Sequence, residues 1–523
     1  MLRITNLKIP ANRELTEAVL KQAIERRLGA KGAKNIKIIR RAIDPRDKTR
    51  VSHVLTLDFD IAGEKRFYRK KNITRPERRT YTLPEPCRMD IRPVIAGFGP
   101  AGMFCGLALA EMGLRPVILE RGRRVSDRKR DIETFQRTRV LDPSSNVQFG
   151  EGGAGTFSDG KLNTGINDVR CDYILRRFVE FGAPDSILSL AKPHIGTDNL
   201  VIAVKNLRER ILSLGGEILF EHTLTDIDIE SGKVTAVHGG NEIKIPFTDL
   251  VLAVGHSARD TFEMLYKKGF DIEQKAFSVG VRIEHKQDAI NRAQYGDFAQ
   301  YLPAADYKLF THLENGRGVY TFCMCPGGYV MAAASEEGGV VTNGMSCYAR
   351  DGENANAALL VGVGPDDFDG THPLAGVKLQ RELERKAFAA GGSNYNAPAQ
   401  TVGDLLNDRP TEKFGNVVPS YRPGVTPSDM RKIFPACIYD SIKQGILAFD
   451  KTIKGYADEN AVVTAVESRS SSPVRITRGK DSLESIKYPH IYPCGEGCGY
   501  AGGIMSAAAD GLKVAEKIAL NTV

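Results

Sequence analysis

The chain has 523 residues, of which 42% are hydrophobic and 26% charged, which indicates a globular protein of several domains and excludes a disordered or collagen-like chain. Its formal net charge of +8 is unevenly distributed. Residues 1–90 carry 23 Lys and Arg against 11 Asp and Glu, a net +12, whereas residues 91–523 carry a net −4.

The first 90 residues are predicted to form a basic N-terminal α+β domain of βαββ order with its connector. Leu2–Ile9 alternates with period two, and the apolar residues between Leu15 and Leu28 share one helical face. Two more alternating runs, Ile36–Ile43 and Val51–Ile61, flank a turn. A basic connector rich in proline follows, so we expect a domain boundary near residue 90.

The middle of the chain begins with an uncharged stretch, residues 93–110, whose glycines favour a strand, a turn and a helix over a membrane span. Residues 277–350 contain the β-branched and glycine-rich runs of a largely antiparallel sheet, and residues 370–460 are predicted as mixed helix and loop. The N-terminus lacks a secretory signal, and the nine scattered cysteines predict reduced thiols in the cytoplasm.

A dinucleotide-binding motif follows the first predicted strand of this middle part. Gly97 permits a tight turn, Gly99 leaves room for phosphates, and Gly102 lets the helix approach the strand. Glu120, 18 residues after Gly102, ends the second strand and is placed to accept hydrogen bonds from a ribose diol. The motif predicts the cofactor contacts Gly97, Gly99, Pro100, Ala101, Gly102, Glu120 and Arg121.

Two later segments favour FAD over NAD. Residues 249–255 form a buried strand that ends in small residues, as a chain crossing close over a dinucleotide requires. Near the C-terminus, Glu496 ends a strand and can bond ribityl or pyrophosphate oxygens, and a helix beginning near Gly502 can point its positive end at a flavin ring. These segments add the predicted contacts Ala253, Gly255, Gly495, Glu496, Gly502, Gly503 and Ile504.

With these motifs the chain resembles two-dinucleotide-binding-domain flavoproteins of the glutathione reductase superfamily, and more narrowly the bacterial FAD-utilising dehydrogenases. The narrower resemblance spans essentially residues 90–515 and is carried by the blocks 152–162 (GGAGTFSDGKL), 255–261 (GHSARDT), 277–285 (FSVGVRIEH), 323–328 (CMCPGG) and 467–475 (ESRSSSPVR). It implies FAD and a redox role. Cys498 departs from the family pattern, in which we expect a small residue without a thiol.

The resulting fold class is α/β. A Rossmann-like FAD/NAD(P)-binding domain is assembled from residues 91–276 and 461–523, an α+β substrate domain with a largely antiparallel sheet spans residues 277–460, and the basic domain spans residues 1–90. Disulfide reductases of the superfamily insert a second GxGxxG domain, whereas the near match at Gly362–Asp367 has Asp in place of the third glycine. We therefore expect any NADH or NADPH to bind transiently.

The block at 152–162 is predicted to wrap around the pyrophosphate and the edge of the isoalloxazine. Its predicted cofactor contacts are Gly153, Gly155, Thr156, Ser158 and Lys161. The alternatives are a glycine-rich surface turn capped by Asp159 and, for Lys161, a solvated charge.

Candidates for catalysis are Lys161, Cys325 and His256, with His194 and His285 as further candidate proton donors. A structural role is the competing interpretation for each cysteine and histidine. The spacing of Cys323 and Cys325 does not favour a disulfide, and without nearby His/Cys pairs at finger-like spacing we predict no metal site.

The favoured hypothesis is an FAD-dependent oxidoreductase that transfers hydride through its flavin to or from a small organic molecule, with a redox partner as a further candidate. Another hypothesis is a flavin-dependent RNA-modifying or RNA-binding protein that uses the basic N-terminal domain. We favour a docked or solvated basic face over nucleic-acid binding, because no RNA-binding signature accompanies the charge. In a third hypothesis, a binding protein retains FAD structurally.

Overall fold

The computed structural model describes residues 1–77, 80–85 and 91–521. Part of the proline-rich connector and the boundary predicted near residue 90 lie outside the described residues. The helices and strands before residue 94 are β1 (Leu2–Pro10), α1 (Glu17–Leu28), β2 (Lys34–Asp44), β3 (Ser52–Asp60) and β4 (Ile73–Thr74).

The next stretch contains β5 (Val94–Ala96), α2 (Pro100–Glu111), β6 (Val117–Glu120), α3 (Val125–Thr138), α4 (Arg170–Glu180), α5 (Thr197–Ser213), β7 (Glu217–Phe220), β8 (Thr223–Asp228), β9 (Lys233–His238), β10 (Asn241–Pro246), β11 (Leu250–Leu252), α6 (Arg259–Lys267) and β12 (Ile272–Gln274). The rest contains β13 (Phe277–Lys286), α7 (Gln287–Tyr295), β14 (Phe310–His312), β15 (Gly318–Cys325), β16 (Tyr329–Ala332), β17 (Thr342–Met345), β18 (Asn354–Val363), α8 (Ala375–Ala390), β19 (Ala397–Thr401), α9 (Val402–Leu406), β20 (Val425–Pro427), α10 (Ala436–Asp450), β21 (Val462–Glu467), β22 (Val474–Ile476), β23 (Ile491–Pro493) and α11 (Ile504–Asn521).

The N-terminal elements form a four-stranded sheet of order β2-β3-β1-β4, against which α1 packs. Thr16 caps the start of α1 by accepting a hydrogen bond from the backbone N–H of Val19, and Gly29 ends it in the left-handed conformation. The outer strand β2 reaches the rest of the chain, because the N–H of Arg41 donates to the carbonyl of Ser189 over 2.7 Å.

A parallel five-stranded sheet of order β23-β11-β5-β6-β7 lies at the centre of the next unit. Four of its strands lie between Val94 and Leu252, and the fifth, β23, begins more than 200 residues later at Ile491. The helices α2 and α11 pack against each other at close range, since a Cβ on Gly511 would lie 2.1 Å from the carbonyl oxygen of Ala101. Rossmann-type sheets bind ligands at the carboxyl ends of such strands.

A seven-stranded sheet of order β14-β15-β18-β13-β21-β19-β20 forms the second large unit. Its pairs are antiparallel except for β19 and β20. The division drawn from the sequence ends this unit at residue 460, but β21 pairs with both β13 and β19, so the sheet continues to Glu467. A fully buried strand shows no alternation that would assign it to one sheet over the other.

Smaller elements complete the fold. Strands β8, β9 and β10 lie between β7 and β11 in the chain and form an antiparallel meander, and β12 pairs with β22. No helix within the described ranges combines the length and the apolar character needed to cross a membrane.

Candidate functional site

A cavity of about 790 Å³ lies at the carboxyl ends of the parallel strands, between this sheet and the seven-stranded sheet. Four of its lining segments directly follow β5, β6, β11 and β23. The facing wall comes from the end of β15 and from residues 467–470. The predicted residues that line it are Gly97, Gly99, Pro100, Ala101, Glu120, Arg121, Gly153, Gly155, Ser158, Lys161, Ala253, Gly255, His256, Glu496, Gly502, Gly503 and Ile504.

The glycines of the first turn serve two different purposes. A Cβ on Gly97 would lie 2.3 Å from the carbonyl oxygen of Ala253, and one on Gly102 would lie 1.9 Å from that of Gly97. Packing of the protein therefore requires glycine at both positions. Gly102 does not line the cavity.

Gly99 instead faces the cavity beside the backbone of Gly153. A Cβ on Gly99 would make only ordinary contact, at 3.7 Å from the Cα of Gly153, and its φ is −80°. The helix α2 begins here with Pro100 in its first turn, so the first N–H groups have no intrahelical acceptor. This glycine cradle at the start of a helix is suited to an anionic phosphate.

Glu120 organises the loops around the cradle. Its carboxylate accepts hydrogen bonds from the backbone N–H groups of Phe98, Gly122 and Gly150, at 2.8, 2.9 and 2.9 Å. It therefore ties the first turn to the loop after β6 and lines the cavity from there. Arg121 lies beside it and forms an ion pair with Asp260 at the start of α6.

Arg128 and Glu151 hold the loop that precedes Gly153, and sequence analysis missed both. The buried guanidinium of Arg128 donates to the carbonyl oxygens of Asn146, Val147, Gly150 and Glu151. Burial raises the pKa of Glu151, whose carboxylate accepts from the N–H of Val125 and from Arg208. A charged residue in an amphipathic helix such as α3 carries no sequence signal for this role.

The block at 152–162 contributes fewer side chains than predicted. Thr156 is buried and does not line the cavity, because its hydroxyl points to the carbonyl oxygen of Glu151. Ser158 lines the cavity, but its hydroxyl donates to Gly155 and accepts from the N–H of Gly160. The loop is thus held by its own hydrogen bonds and offers mainly backbone to a ligand.

Asp159, which the sequence suggested only as a turn cap, is the centre of a buried network. Its carboxylate accepts from Lys161 at 2.8 Å, from Arg350 at 2.9 and 2.5 Å, and from Ser346. Burial raises the pKa of Asp159, but Lys161 and Arg350 outweigh it and bring the pKa to about 2. Lys161 also donates to the carbonyl oxygen of Met324, which joins this loop to β15.

The last FAD-type motif is held by Asp510 of α11. This carboxylate accepts from the N–H of Gly495 at 2.8 Å and pairs with Arg478 at 2.7 Å. Gly495 is not in the cavity lining. A Cβ there would lie 2.7 Å from the Cβ of Ala101, so packing favours glycine at this position. Glu496 does line it, and burial raises the pKa of its carboxyl to about 7.

At the start of α11, Gly502 is exposed and lines the cavity. A Cβ on Gly502 would meet no atom within 4 Å, and its φ lies outside the left-handed region. Neither packing nor backbone conformation requires glycine at this position. Open space in front of bare backbone is what a closely approaching ligand needs.

The end of β15 departs from a regular strand. The register with β18 shifts between Phe322 and Cys325, and Cys323 has a φ of +40°. Cys323 lines the cavity, whereas Cys325 is buried behind it and does not. The neighbouring Cys325 thiol, together with Lys161 and Arg282, lowers the pKa of the half-buried Cys323 thiol. The neighbouring Cys323 thiol and burial raise the pKa of Cys325.

Arg282 supports this bulge from the central strand β13. It is fully buried and pairs with Glu467 at 3.0 and 3.1 Å. It also donates to the carbonyl oxygen of Cys323 at 2.8 Å. Burial opposes the charge of Arg282, yet Glu467 and the two thiols raise its pKa.

The remaining candidates have structural surroundings. His256 lines the cavity, but burial, Arg469 and Arg259 lower its pKa to about 3, so its imidazole is neutral at physiological pH. His285 is buried and bonds to the carbonyl of Tyr456, outside the cavity lining. His194 stacks on Tyr348 and also lies outside the lining.

Cys498 donates to the carbonyl of Leu252, and burial raises its pKa to about 12, so it is an inert thiol. Across the described ranges, no group of three or more His, Cys, Asp or Glu side chains is arranged to hold a metal ion.

Residues 276–470 match the family described as "FAD-dependent protein, C-terminal domain-like", and residues 1–60 match "Domain of unknown function (DUF8436)". A protein of Clostridium beijerinckii, described as "Uncharacterized protein", is 46% identical over 99% of this chain and 98% of its own. The chain therefore belongs to the family of this clostridial protein.

Solved flavoprotein structures are similar over most of the chain. A triple mutant of the flavin-dependent brominase Bmp2 is 13% identical, with 82% of this chain and 80% of that chain covered and a TM-score of 0.36. CtdE in complex with FAD is 10% identical, with 83% and 84% covered and a TM-score of 0.32. Nothing about the reaction of this protein follows from similarities at this level.

The residues around the cavity fit an FAD. The cradle of Gly99 and Gly153 at the start of α2 suits the pyrophosphate, and the open space before Gly502 suits the approach of a flat ring. When bound, FAD supplies the two-electron chemistry, and the protein supplies position and charge.

Proposed function

We propose that the protein is an FAD-dependent oxidoreductase that transfers hydride through a flavin held in this cavity, to or from a small organic substrate. The observation that carries the proposal is Gly502, a glycine that faces the cavity although neither packing nor conformation requires it. The FAD-dependent family of residues 276–470 supports the identity of the cofactor.

In this proposal the cofactor side and the substrate side of the cavity are different. Backbone after β5, β11 and β23 holds the dinucleotide, and Glu120 keeps the loops in place. The wall from β15 and residues 467–470 lies where substrate approaches the ring. Glu496, with a pKa of about 7, exchanges a proton near neutral pH.

A nicotinamide nucleotide as electron donor binds transiently in the proposal. The near match at Gly362–Asp367 is not a βα turn, because Gly362 lies in β18 and Gly364 precedes a three-residue 3-10 helix. A second nucleotide-binding motif is therefore not formed by these residues. The free thiols of the described chain fit a cytoplasmic location.

The test is an anaerobic titration of the flavin absorbance with NADH and with NADPH. The chain has no Trp, so flavin fluorescence can be followed in parallel without indole emission. We expect one of the two nucleotides to bleach the oxidised flavin spectrum. A colourless protein that takes up no FAD would contradict the proposal.

Nucleic acid is a second candidate partner, which one observation favours. The ion pairs that the structure shows for the Lys and Arg of residues 1–77 are with acids of the same unit, such as Arg3 with Asp58. Many basic side chains of this unit are exposed: Lys21, Arg26, Arg27, Lys31, Lys34, Lys37, Arg40, Lys48 and Arg50. A gel shift with bulk tRNA tests this candidate, since binding through phosphates weakens steeply with salt.

A further inference from the structure

We propose that Cys323 and Cys325 are a redox-active dithiol that forms a reversible disulfide by exchanging two electrons with the flavin, so that the substrate is itself a disulfide or dithiol. The inference deepens the proposed function and rests on it for the flavin. The thiols themselves can be tested separately.

The bulge makes the pairing possible against the expectation from sequence. Two residues of extended chain span at most about 7 Å between Cα atoms, and disulfides bridge Cα atoms about 4.4–6.8 Å apart. The left-handed conformation of Cys323 bends the chain back, and the Cys325 sulfur lies 3.2 Å from the carbonyl oxygen of Cys323.

The surroundings give the two thiols different roles. Cys323 lines the cavity and is within reach of a ligand, whereas Cys325 has no exposed surface. Lys161 and Arg282 both stabilise a thiolate at Cys323, while Asp159 and Glu467 balance these cations. A low-pKa thiol at the open side and a protonated thiol behind it form an attacking and a resolving pair.

The steps balance in atoms and electrons. The Cys323 thiolate attacks one sulfur of a disulfide substrate, and the other substrate sulfur leaves as a thiolate. Cys325 then attacks the Cys323 sulfur, and its proton goes with the second substrate sulfur, which leaves as a thiol. A bound, reduced flavin would supply the two electrons and one proton that cleave the new bond, so that Cys323 returns as thiolate and Cys325 as thiol.

The experiment is an anaerobic reductive titration of the FAD-loaded protein after oxidation with diamide. We expect the wild type to take up four electrons per chain before the flavin is fully reduced, and Cys323→Ser or Cys325→Ser to take up two. The matched control Cys437→Ser, which removes an exposed thiol in α10, should keep four. An uptake of only two electrons per chain by the wild type would overturn the inference.

Differential alkylation with mass spectrometry provides a readout that does not need activity. The segment 318–325 should carry two fewer alkylated thiols after diamide, and recovery of both thiols with dithionite should be at least tenfold faster with FAD bound than in flavin-free protein. If both thiols of segment 318–325 can still be alkylated after diamide treatment, the inference is overturned. Equal rates of thiol recovery with and without FAD would also overturn it. If the protein binds no FAD but forms the disulfide, the proposed function and the electron exchange with the flavin are both contradicted. The disulfide itself would still be established.

Discussion

The wall of the cavity on the parallel sheet presents glycine backbone, whereas the wall on the seven-stranded sheet presents buried charges and the Cys323 thiol. On the first wall, Gly99, Gly255 and Gly502 line the cavity with backbone alone. On the second, Cys323 and Glu467 face the same space and are held by Arg282 from behind. One wall thus depends on free space, and the other on paired charges.

This difference separates binding from reactivity. Backbone N–H groups bind an anion without a net charge of their own and need only that no side chain intervenes. Ionised groups in the opposite wall must instead be compensated, because an unpaired buried charge is costly. Substitutions in the glycine wall should therefore weaken FAD binding, whereas substitutions in the charged wall should lower the free energy of unfolding.

The largest effect is expected for Arg282→Met on the charged wall. It leaves the buried carboxylate of Glu467 without its partner, and breaking such a pair costs about 3–5 kcal/mol in the free energy of unfolding. Denaturant unfolding measures the loss. The double variant Arg282→Met with Glu467→Gln should recover part of it, because no uncompensated charge remains.

A matched control for this prediction is Arg176→Met, which breaks an exposed i,i+4 pair with Asp172. Such pairs contribute about 0.3–0.5 kcal/mol, so the control should unfold almost as the wild type does. Equal losses in the free energy of unfolding for the two variants would show that burial of the Arg282 ion pair does not matter.

A smaller effect is expected for Gly99→Ala and Gly502→Ala on the glycine wall. Each adds a methyl group where the protein has room, so the free energy of unfolding should change little. The methyl would occupy the space of the flavin, and a crowding cost of about 1–3 kcal/mol weakens FAD binding roughly 5- to 150-fold. Titration of flavin fluorescence measures the Kd.

Gly362→Ala is the control for the glycine wall, since Gly362 lies in β18 away from the cavity and a Cβ there would be 3.7 Å from its nearest neighbour. It should leave the Kd for FAD unchanged. If it weakens binding as much as Gly502→Ala does, the account of the glycine wall is wrong.

The smallest effect concerns Glu496. Burial raises the pKa of its carboxyl from 4.5 to about 7, so the native flavin-free protein binds more protons than the unfolded chain between these values. Stability should therefore fall as the pH rises through this window. Glu496→Gln should remove that fall and be more stable than the wild type at pH 8. The exposed Glu242→Gln should follow the wild-type curve in thermal melts.

The glycine wall could be predicted because its signal is local. Gly97, Gly99 and Gly102 lie in one turn between a buried strand and a helix, and the end of the next strand places Glu120 opposite them. The sequence also indicated the segments after β11 and β23, because the first of these strands ends in small residues and the second is followed by Glu496. The sequence could not separate glycines that packing requires from glycines that leave room for a ligand, because the difference depends on distances between segments far apart in the chain.

The charged wall could not be predicted because its members meet only through long-range pairing. Arg282 and Glu467 are 185 residues apart and come together on adjacent strands, β13 and β21. Asp159 meets Arg350 across 191 residues. The bulge at Cys323 interrupts a run whose residue types suit a regular strand.

The most direct test of the account is the number of FAD molecules bound by the purified protein. Absorbance of flavin released by denaturation, divided by protein concentration, measures it after incubation with excess FAD and removal of the free cofactor. We expect one FAD per chain for the wild type and a clearly lower value for Gly502→Ala. Absence of flavin from the wild type, or equal occupancy of the two proteins, would contradict it.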